Sequence, residues 1–348
     1  MSEGFKIGKR KVGPREPCFV VAEVAQAHDG SFGAALEFIN VAAQAGADAV
    51  KFQTHIAAAE STAREPFRVK FSRQDRTRYD YWKRMEFTPK QWRDLALRAA
   101  DRGLIFLSSP FSLEAFALLQ QLKVPAWKIG SGELGNTPLI DAMIASRKPI
   151  LLSSGMASWK ELDAAVKKIR AARVPLMVYQ CTTKYPCKPG EVGLALIRVM
   201  RERYNVPVGL SDHSGTAVFG IAAAALGAAS VEVHITMSRQ SFGPDVPASL
   251  TPAELAEMVR GIRAVEKDLR SPPDKNKLAV ELAESRRIFG RSIVTSVAVP
   301  KGTRLTRKHL TLKKPACGMT PADLNKVIGR RAARKLAPDT FISRRDLA

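Results

Sequence analysis

The chain has 348 residues with 45% hydrophobic and 25% charged side chains, a composition typical of globular proteins with one large domain or two smaller ones. No apolar run is long enough to span a bilayer, and the amino terminus lacks the apolar core of a secretory leader, so we expect a cytoplasmic protein with no membrane partner. A net charge of +22 favours the binding of nucleic acid or of an anionic substrate. Because no nucleic-acid-binding motif accompanies the charge, nucleic acid is the less favoured partner.

Short apolar runs alternate regularly with amphipathic segments along the first 270 residues. The runs lack strict alternation of polar and apolar residues, as expected for strands buried on both faces. The predicted strands are 18–24, 47–53, 104–108, 126–129, 149–153, 176–181, 207–210 and 230–235. The predicted helices are 33–45, 89–102, 112–122, 137–146, 158–171, 190–203, 216–226 and 251–269.

Eight strands, each followed by a helix, predict an α/β fold of the (β/α)8 type, the TIM barrel. A doubly wound open sheet is the competing architecture, although no Gly-x-Gly-x-x-Gly motif follows the first strand. The connection 54–88 is unusually long and rich in arginine, and on a barrel rim it would be a lid or a wall that contacts substrate.

The sequence changes character after residue 270. The segment RSPPDKNK from Arg270 is typical of a linker. Short strand-like pieces around Pro and Gly turns follow, which predicts a small β-rich domain. We therefore predict a barrel domain over 1–270, a linker over 271–284 and a second domain over 285–348.

Polar residues end the predicted strands, where the carboxyl ends of parallel strands share one rim. His213 follows one strand and His234 ends the next, so two imidazoles would meet there and could hold a divalent metal. Lys51 and Lys128 end two other strands, and together with neighbouring hydroxyls they would form a cradle for phosphate or carboxylate. The pattern predicts chemistry on an anionic substrate with Lewis-acid assistance.

Several longer motifs follow one another along nearly the whole chain. They are AEVAQAHDG from Ala22, AGADAVKFQ from Ala45, SSPF from Ser108, WKIGSGE from Trp127, LSSGMA from Leu152, QCTTKYP from Gln180, GLSDHS from Gly209, EVHIT from Glu232, GPD from Gly243 and, in the tail, KKPACGM from Lys313. In this order and at this spacing they resemble the sialic acid synthase family, which condenses phosphoenolpyruvate with an N-acetylated amino sugar. The tail resembles the family's antifreeze-like (SAF) domain.

The resemblance implies a site, a cofactor and an assembly. It implies a divalent ion, usually manganese with Mg²⁺ or Co²⁺ as alternatives, held by His213 and His234. It also implies a domain-swapped homodimer in which the tail of one subunit caps the barrel of its partner. The implied catalytic residues are Glu23, Glu133 and Asp245, and the implied substrate-binding residues are Lys51, Gln53, Ser109, Lys128, Ser131, Ser154, Thr183, Tyr185, Ser211 and Lys314.

The sequence departs from the family pattern mainly on the side expected to bind the sugar. Val246 replaces a histidine after Gly-Pro-Asp, Ala27 replaces an asparagine, and Lys314 replaces an arginine that reaches the partner's sugar site. Because lysine lacks the bidentate fork of arginine, we expect an acceptor other than plain N-acetylmannosamine. A diacetamido sugar, giving a legionaminic- or pseudaminic-type acid, and a phosphorylated sugar are the alternatives.

Three further hypotheses remain open on the sequence. The barrel could catalyse a different metal-dependent carbon–carbon reaction on a keto acid. The basic tail could bind nucleic acid or an anionic polysaccharide without catalysis, in which case its binding should weaken with salt. The chain could also be a family member that binds phosphoenolpyruvate but turns over poorly.

Overall fold

The computed structural model describes residues 4–348 and divides the chain into two compact units, Met1–Arg270 and Ser271–Ala348. The first unit begins with a short antiparallel hairpin, β1 (Phe5–Ile7) and β2 (Arg10–Val12), which the sequence analysis did not predict. Eight parallel strands follow: β3 (Phe19–Ala25), β4 (Ala49–Thr54), β5 (Ile105–Pro110), β6 (Trp127–Ile129), β7 (Ile150–Ser153), β8 (Leu176–Cys181), β9 (Val208–Asp212) and β10 (Ser230–Ile235).

The strands are arranged in the order β5-β4-β3-β10-β9-β8-β7-β6, and a two-residue strand, β11 (Ser249–Leu250), pairs with β10. The two end strands β5 and β6 lie side by side, so the sheet forms a nearly closed barrel. The predicted barrel is confirmed, and the open-sheet alternative is wrong, because β3 pairs with β10 and brings the first and last strands together.

Helices surround the barrel and begin at side chains that cap them. Thr88 and Ser158 each form a capping box at the start of a helix, and Gly46, with φ +80°, follows the first helix in a conformation that L-residues rarely adopt. The helices are α1 (Phe32–Gln44), α2 (Ala57–Glu60), α3 (Arg78–Met85), α4 (Pro89–Asp101), α5 (Leu113–Gln121), α6 (Thr137–Ala145), α7 (Trp159–Ala171), α8 (Leu194–Tyr204), α9 (Ala217–Ala225) and α10 (Pro252–Arg270).

The strands divide their side chains between two apolar layers. Alternate residues such as Val20 and Ala22 pack outward against the helices, and the intervening ones such as Phe19 and Val21 pack inside the barrel. Ile7 of the hairpin belongs to the inner layer, so the hairpin seals the amino-terminal end of the barrel. The same period places Glu23 on the inner side one step further along β3, at the carboxyl end.

The second unit contains α11 (Lys275–Glu281) and α12 (Ala283–Phe289), then β12 (Ser292–Thr295), β13 (Leu310–Lys313) and α13 (Leu324–Val327). The segment 271–284, predicted as a linker, therefore holds α11. β12 and β13 form an antiparallel pair, while the other predicted strand-like pieces make only isolated bridges, such as Val294 with Phe341. This unit has its own apolar core around Ile293, Leu305 and Leu336.

No helix within residues 4–348 combines the length and the apolar character needed to cross a membrane.

Candidate active site

A cavity of about 520 Å³ lies at the carboxyl end of the barrel. All of the predicted site residues except Ser154 and Lys314 line it. Pairing within the sheet explains the convergence, because His234 lies beside Glu23, Glu23 beside Lys51, and Glu232 beside Ser211 on neighbouring strands. Inward-facing residues at the strand ends are thus brought to one mouth, as in other barrels of this type.

Two buried lysines and two buried glutamates form the floor of the cavity. The Lys51 Nζ lies 2.7 Å from Glu23 Oε2 and 3.6 Å from Glu232 Oε1. The Lys128 Nζ lies 3.1 Å from the same Glu232 oxygen. Hydroxyls of Ser109 and Ser153 accept further hydrogen bonds from Lys51 and Lys128, at 3.3 and 2.8 Å.

These charges shift one another's pKa values. Burial disfavours the charged form of Lys51, but Glu23 and Glu232 outweigh burial and raise the pKa of its ammonium. Burial also opposes ionisation of Glu232, yet Lys128 and Lys51 hold the pKa of that carboxyl below its ordinary value. Burial raises the pKa of Glu23, and the neighbouring Glu232 adds to this against the effect of Lys51. The floor therefore presents fixed cations beside a carboxyl that takes up a proton readily.

The two predicted metal-binding histidines face each other beside Tyr185. Their ring centroids lie 5.2 Å apart, and the Tyr185 ring stacks on His213 at 4.1 Å. The Nδ1 of His213 donates to the carbonyl oxygen of Thr182 at 2.9 Å, which leaves Nε2 for a metal ion. Burial opposes the charged form of His213, but Cys181 and this carbonyl outweigh burial and raise the pKa of the ring, so metal binding there would displace a proton. Burial and the nearby positive charges lower the pKa of His234 well below its ordinary value, which keeps that imidazole neutral.

The donor chemistry fits a divalent ion of the borderline class. Neutral imidazoles are its common ligands, and the Oδ2 of Asp245 lies 3.8 Å from Nδ1 of His234. Among residues 4–348 no group of three or more His, Cys, Asp or Glu side chains is arranged to hold a metal ion. The chain would supply two imidazoles and leave other coordination positions to substrate or water, as catalytic sites do.

A short turn after β6 forms the next part of the wall. Ser131 Oγ accepts a hydrogen bond from the backbone N–H of Gly155 at 3.0 Å. A Cβ at Gly155 would lie only 2.3 Å from Thr183 Oγ1 and 2.6 Å from Ser131 Oγ, so only glycine allows this close approach. Burial raises the pKa of Glu133 on the same turn, against a hydrogen bond from Asn136. Hydroxyls and a proton donor thus lie on one side of the cavity.

The long connection between β4 and α4 closes the mouth from above. It contains α2 and α3 rather than being irregular throughout. Arg68 reaches across to Asp245, with Nη2 2.7 Å from Oδ1, and its guanidinium lies 4.2 Å from the Tyr185 ring centroid. Arg78 also lines the cavity and pairs with Glu65 at 3.2 Å. The segment is therefore a wall that contacts the site and adds guanidinium groups to it.

Two predicted residues lie elsewhere. Ser154 is buried and its hydroxyl donates to the carbonyl oxygen of Tyr179 at 2.8 Å, so its neighbour Ser153 is the serine that faces the cavity. Lys314 belongs to the second unit, where its Nζ lies 5.3 Å from the Phe289 ring centroid.

Among the polar residues of the cavity that the sequence did not assign to the site are Gln26, His55 and Glu60. His55 comes two residues after Gln53 at the end of β4, so the same strand-end argument that found the other histidines applied to it. Glu60 had no such signal, because it lies on α2 inside a segment predicted as a loop.

Comparison with known proteins places the chain among carbohydrate-synthesising enzymes. Residues 38–272 match the NeuB family, and residues 290–348 match the SAF domain. The N-acetylneuraminate-9-phosphate synthase of Homo sapiens is 34% identical, over 96% of this chain and 93% of its own length. The N,N'-diacetyllegionaminic acid synthase of Campylobacter jejuni is 31% identical, over 93% of this chain and 98% of its own length.

Among solved structures, the sialic acid synthetase of Leptospira borgpetersenii, determined in complex with citrate, superposes with a TM-score of 0.71. The two sequences are 29% identical, and the match covers 82% of this chain and 97% of that one.

Proposed function

This chain belongs to the NeuB family of enzymes, and we propose that it condenses phosphoenolpyruvate with an N-acetylated amino sugar of the N-acetylmannosamine type. The products would be a sialic-acid-like nonulosonic acid and inorganic phosphate. The observation that carries the proposal is the convergence of two buried ammonium groups and two imidazoles, one of them held neutral by burial, in a single cavity.

Phosphoenolpyruvate carries a phosphate and a carboxylate, and the floor of the cavity offers matching groups. Lys51 and Lys128 would bind these anionic groups, and hydroxyls of Ser109, Ser131 and Ser211 would complete their hydrogen bonds. Because both lysines are buried, their charges act at low dielectric and are stronger than on a surface. The lysines would also stabilise the charge that develops as phosphate leaves.

His213 and His234 would hold the divalent ion, which we propose to be manganese, with magnesium or cobalt as alternatives. A bound divalent ion supplies Lewis-acid polarisation of the sugar aldehyde. The Thr182 carbonyl fixes the tautomer of His213 and points its Nε2 toward the cavity.

The reaction forms one carbon–carbon bond and breaks one carbon–oxygen bond. The methylene carbon of phosphoenolpyruvate attacks the aldehyde carbon of the open-chain sugar, and the aldehyde oxygen takes a proton from a carboxyl of the wall. Water adds to the cationic carbon that bears the phosphate, and the resulting intermediate expels phosphate. Glu133 and Glu23, whose pKa values are raised, would donate and accept these protons, and Asp245 would face the reacting sugar.

The acceptor itself is set by the upper part of the cavity. Arg68 and Arg78 line it, and guanidinium groups bind phosphate in a bidentate manner. This favours a sugar phosphate as the acceptor. A diacetamido sugar is the second candidate, because one similar protein is named as an N,N'-diacetyllegionaminic acid synthase. We also propose a domain-swapped homodimer in which Lys314 of one subunit reaches the sugar site of the other, working in the cytoplasm, where the four free cysteines would stay reduced.

A phosphate-release assay with an acceptor panel tests the proposal. The panel contains N-acetylmannosamine, its 6-phosphate and a 2,4-diacetamido sugar, each with phosphoenolpyruvate and with or without manganese. We expect manganese-dependent phosphate release with at least one acceptor and a preference for the sugar phosphate. Failure of every acceptor would reject the proposed function, and a clear preference for N-acetylmannosamine would reject the acceptor assignment.

A further inference from the structure

A chain of hydrogen bonds connects helix α2 to the centre of the barrel. The His55 ring lies flat between the rings of Trp82 and Phe111, with centroid distances of 3.9 and 4.4 Å and interplanar angles of 16° and 11°. Its Nδ1 lies 2.5 Å from Glu60 Oε1. Two aromatic neighbours and one carboxylate thus fix both the plane and the rotation of a buried imidazole that the proposed chemistry does not use.

The donors and acceptors along this chain run in one direction only. An ionised Glu60 can only accept, so Nδ1 of His55 carries a proton. In the neutral ring Nε2 is then an acceptor, and the side-chain nitrogen of Gln26 lies nearer to it, at 2.8 Å, than the Gln53 oxygen, at 3.3 Å. The side-chain amide of Gln26 donates one hydrogen to that Nε2 at 2.8 Å and the other to Gln53 Oε1 at 2.6 Å. Because the oxygen of Gln53 is held there, its NH2 group must point to the opposite side.

The opposite side is occupied by the proposed proton-transfer carboxyl. Gln53 Nε2 donates to Glu23 Oε1 at 3.0 Å, while Lys51 binds the other oxygen at 2.7 Å. A reversed Gln53 amide would set its oxygen against the Glu23 oxygen, and the carboxyl would turn away or take up a proton. The orientation of Glu23 therefore depends on which nitrogen of His55 is protonated.

We propose that His55 and Glu60 are positioning residues, which act through Gln26 and Gln53 to hold the Glu23 carboxyl in its reactive orientation. The inference rests on the proposed function for its catalytic consequence, but not for the hydrogen-bond geometry. Neither residue needs to touch phosphoenolpyruvate, because the lysine cradle lies on the other side of Glu23. Loss of the imidazole nitrogens should then slow turnover and leave binding of phosphoenolpyruvate intact.

The test compares two substitutions at one position. His55→Phe keeps the aromatic stack and removes both nitrogens, whereas His55→Gln can still donate to Glu60 and accept from Gln26. His309→Phe, in the second unit, is the matched control. We expect His55→Phe to lower kcat roughly 10- to 100-fold, as loss of supporting hydrogen bonds does at other sites, with little change in the KM for phosphoenolpyruvate. His55→Gln should recover most of the loss.

Equal activity of His55→Phe and the wild type would overturn the inference, as would a loss confined to the KM for phosphoenolpyruvate. An equal loss of kcat in His55→Phe and His55→Gln would overturn it as well, because the loss would then come from altered packing rather than from missing hydrogen bonds. Thermal unfolding of each variant shows whether the fold is kept.

A second measurement needs no turnover. The chain has 5 histidines, so selective ¹⁵N labelling of histidine in the full-length protein resolves each ring, and the signal lost in His55→Phe assigns His55. We expect His55 to be protonated at Nδ1 and unprotonated at Nε2. In Glu60→Leu the preference for this tautomer should be lost. The reverse tautomer would overturn the inference even in an active enzyme. The expected tautomer in a protein that releases no phosphate would instead reject the proposed function.

Discussion

Glu232 shows how a single residue organises the floor of the cavity. Its Oε1 lies between two ammonium groups, at 3.1 Å from Lys128 and 3.6 Å from Lys51, and it also accepts a hydrogen bond from Ser211 at 3.3 Å. All four side chains are buried. A carboxylate in this position holds both ammonium groups in place before the substrate arrives, so little reorganisation is needed on binding.

Replacing Lys128 by Met should therefore affect both binding and stability. We expect kcat/KM for phosphoenolpyruvate to fall at least about 100-fold, because a buried charge contact to the anion is lost. The free energy of unfolding should fall by about 3 kcal/mol, since Glu232 loses its nearer cation. Phosphate-release kinetics and urea unfolding measure the two effects.

Lys160→Met is the control for this substitution, because Lys160 is exposed on α7. It should change neither quantity. A double variant, Lys128→Met with Glu232→Gln, should regain stability but not activity. Normal affinity for phosphoenolpyruvate in Lys128→Met would contradict the assigned role of the lysine.

Sequence reasoning was strongest for residues at the ends of strands. His213, His234, Lys51 and Lys128 were predicted to meet because parallel strands share a rim. The pairing of β3 with β4 and β10 places Lys51 and His234 on either side of Glu23. Sequence reasoning was weaker where either of two adjacent residues could face the cavity. The sequence does not reveal that Ser153 rather than Ser154 faces the cavity, because that depends on which residue continues the inward period of β7.

Among the secondary-structure elements, the segment between β4 and α4 is held by one arginine on α3. The Arg84 Nη2 lies 2.8 Å from Asp75 Oδ2, and its Nη1 lies 2.7 Å from Asp29 Oδ1 in the turn after β3. Arg84 thus joins two rim loops. Because Arg68 and Phe67 of the same segment line the cavity, the position of this wall depends on the pairing.

The pairing makes the wall sensitive to acid. The hydrogen bond from Arg84 lowers the pKa of Asp75 below its usual 3.8, against the effect of burial. Because the folded pKa lies below the unfolded one, the stabilisation is complete above about pH 4 and is lost as the pH falls through the folded pKa. The protection factors for hydrogen exchange of residues 61–77 in the wild type should therefore fall only at more acidic pH.

Asp75→Asn should lose the protection of residues 61–77 from hydrogen exchange already at pH 7. Its KM for the sugar should rise, and its KM for phosphoenolpyruvate should not change. Asp101→Asn, at the exposed end of α4, serves as the control. Unchanged exchange of residues 61–77 in Asp75→Asn would show that the ion pair does not hold the wall.

The amino-terminal hairpin contributes stability without contributing to the site. Ile7 is fully buried in the inner apolar layer at the end of the barrel away from the cavity. Ile7→Ala should lower the free energy of unfolding by about 2–5 kcal/mol and leave kcat and KM unchanged below the unfolding temperature. Val218→Ala, at a side chain that is 66% exposed, should have little effect. A large change in kcat for Ile7→Ala would contradict the separation of the two ends.

The hairpin and the helices α2 and α3 were not predicted, for a physical reason. Strands of three residues and helices of four to eight residues have no periodic pattern long enough to read. The hairpin forms because the inner apolar layer of the barrel offers a surface for it to cover, whereas α2 and α3 pack around Tyr81, Trp82 and Met85 in a cluster of their own. The eight barrel strands were predicted as short apolar runs between amphipathic helices of nine residues or more, whose period is readable, and both were predicted close to their observed positions.

For the whole molecule, chain length and alternating elements were sufficient to predict a barrel followed by a smaller domain. The second unit has the predicted small antiparallel sheet, while several other extended pieces around prolines make single bridges instead of ladders. The net charge of +22 is larger than one small anion requires. It would still raise the rate at which an anionic substrate reaches the cavity, an effect that decreases with ionic strength.

The central claim is that the lysines and histidines of one cavity break the carbon–oxygen bond of phosphoenolpyruvate during condensation with a sugar. Phosphoenolpyruvate labelled with ¹⁸O at the bridging oxygen tests it most directly. We predict that the label appears in inorganic phosphate, only when a sugar is present, and that His213→Ala and His234→Ala each abolish this release. Label retained in the organic product, or phosphate released without a sugar, would contradict the account.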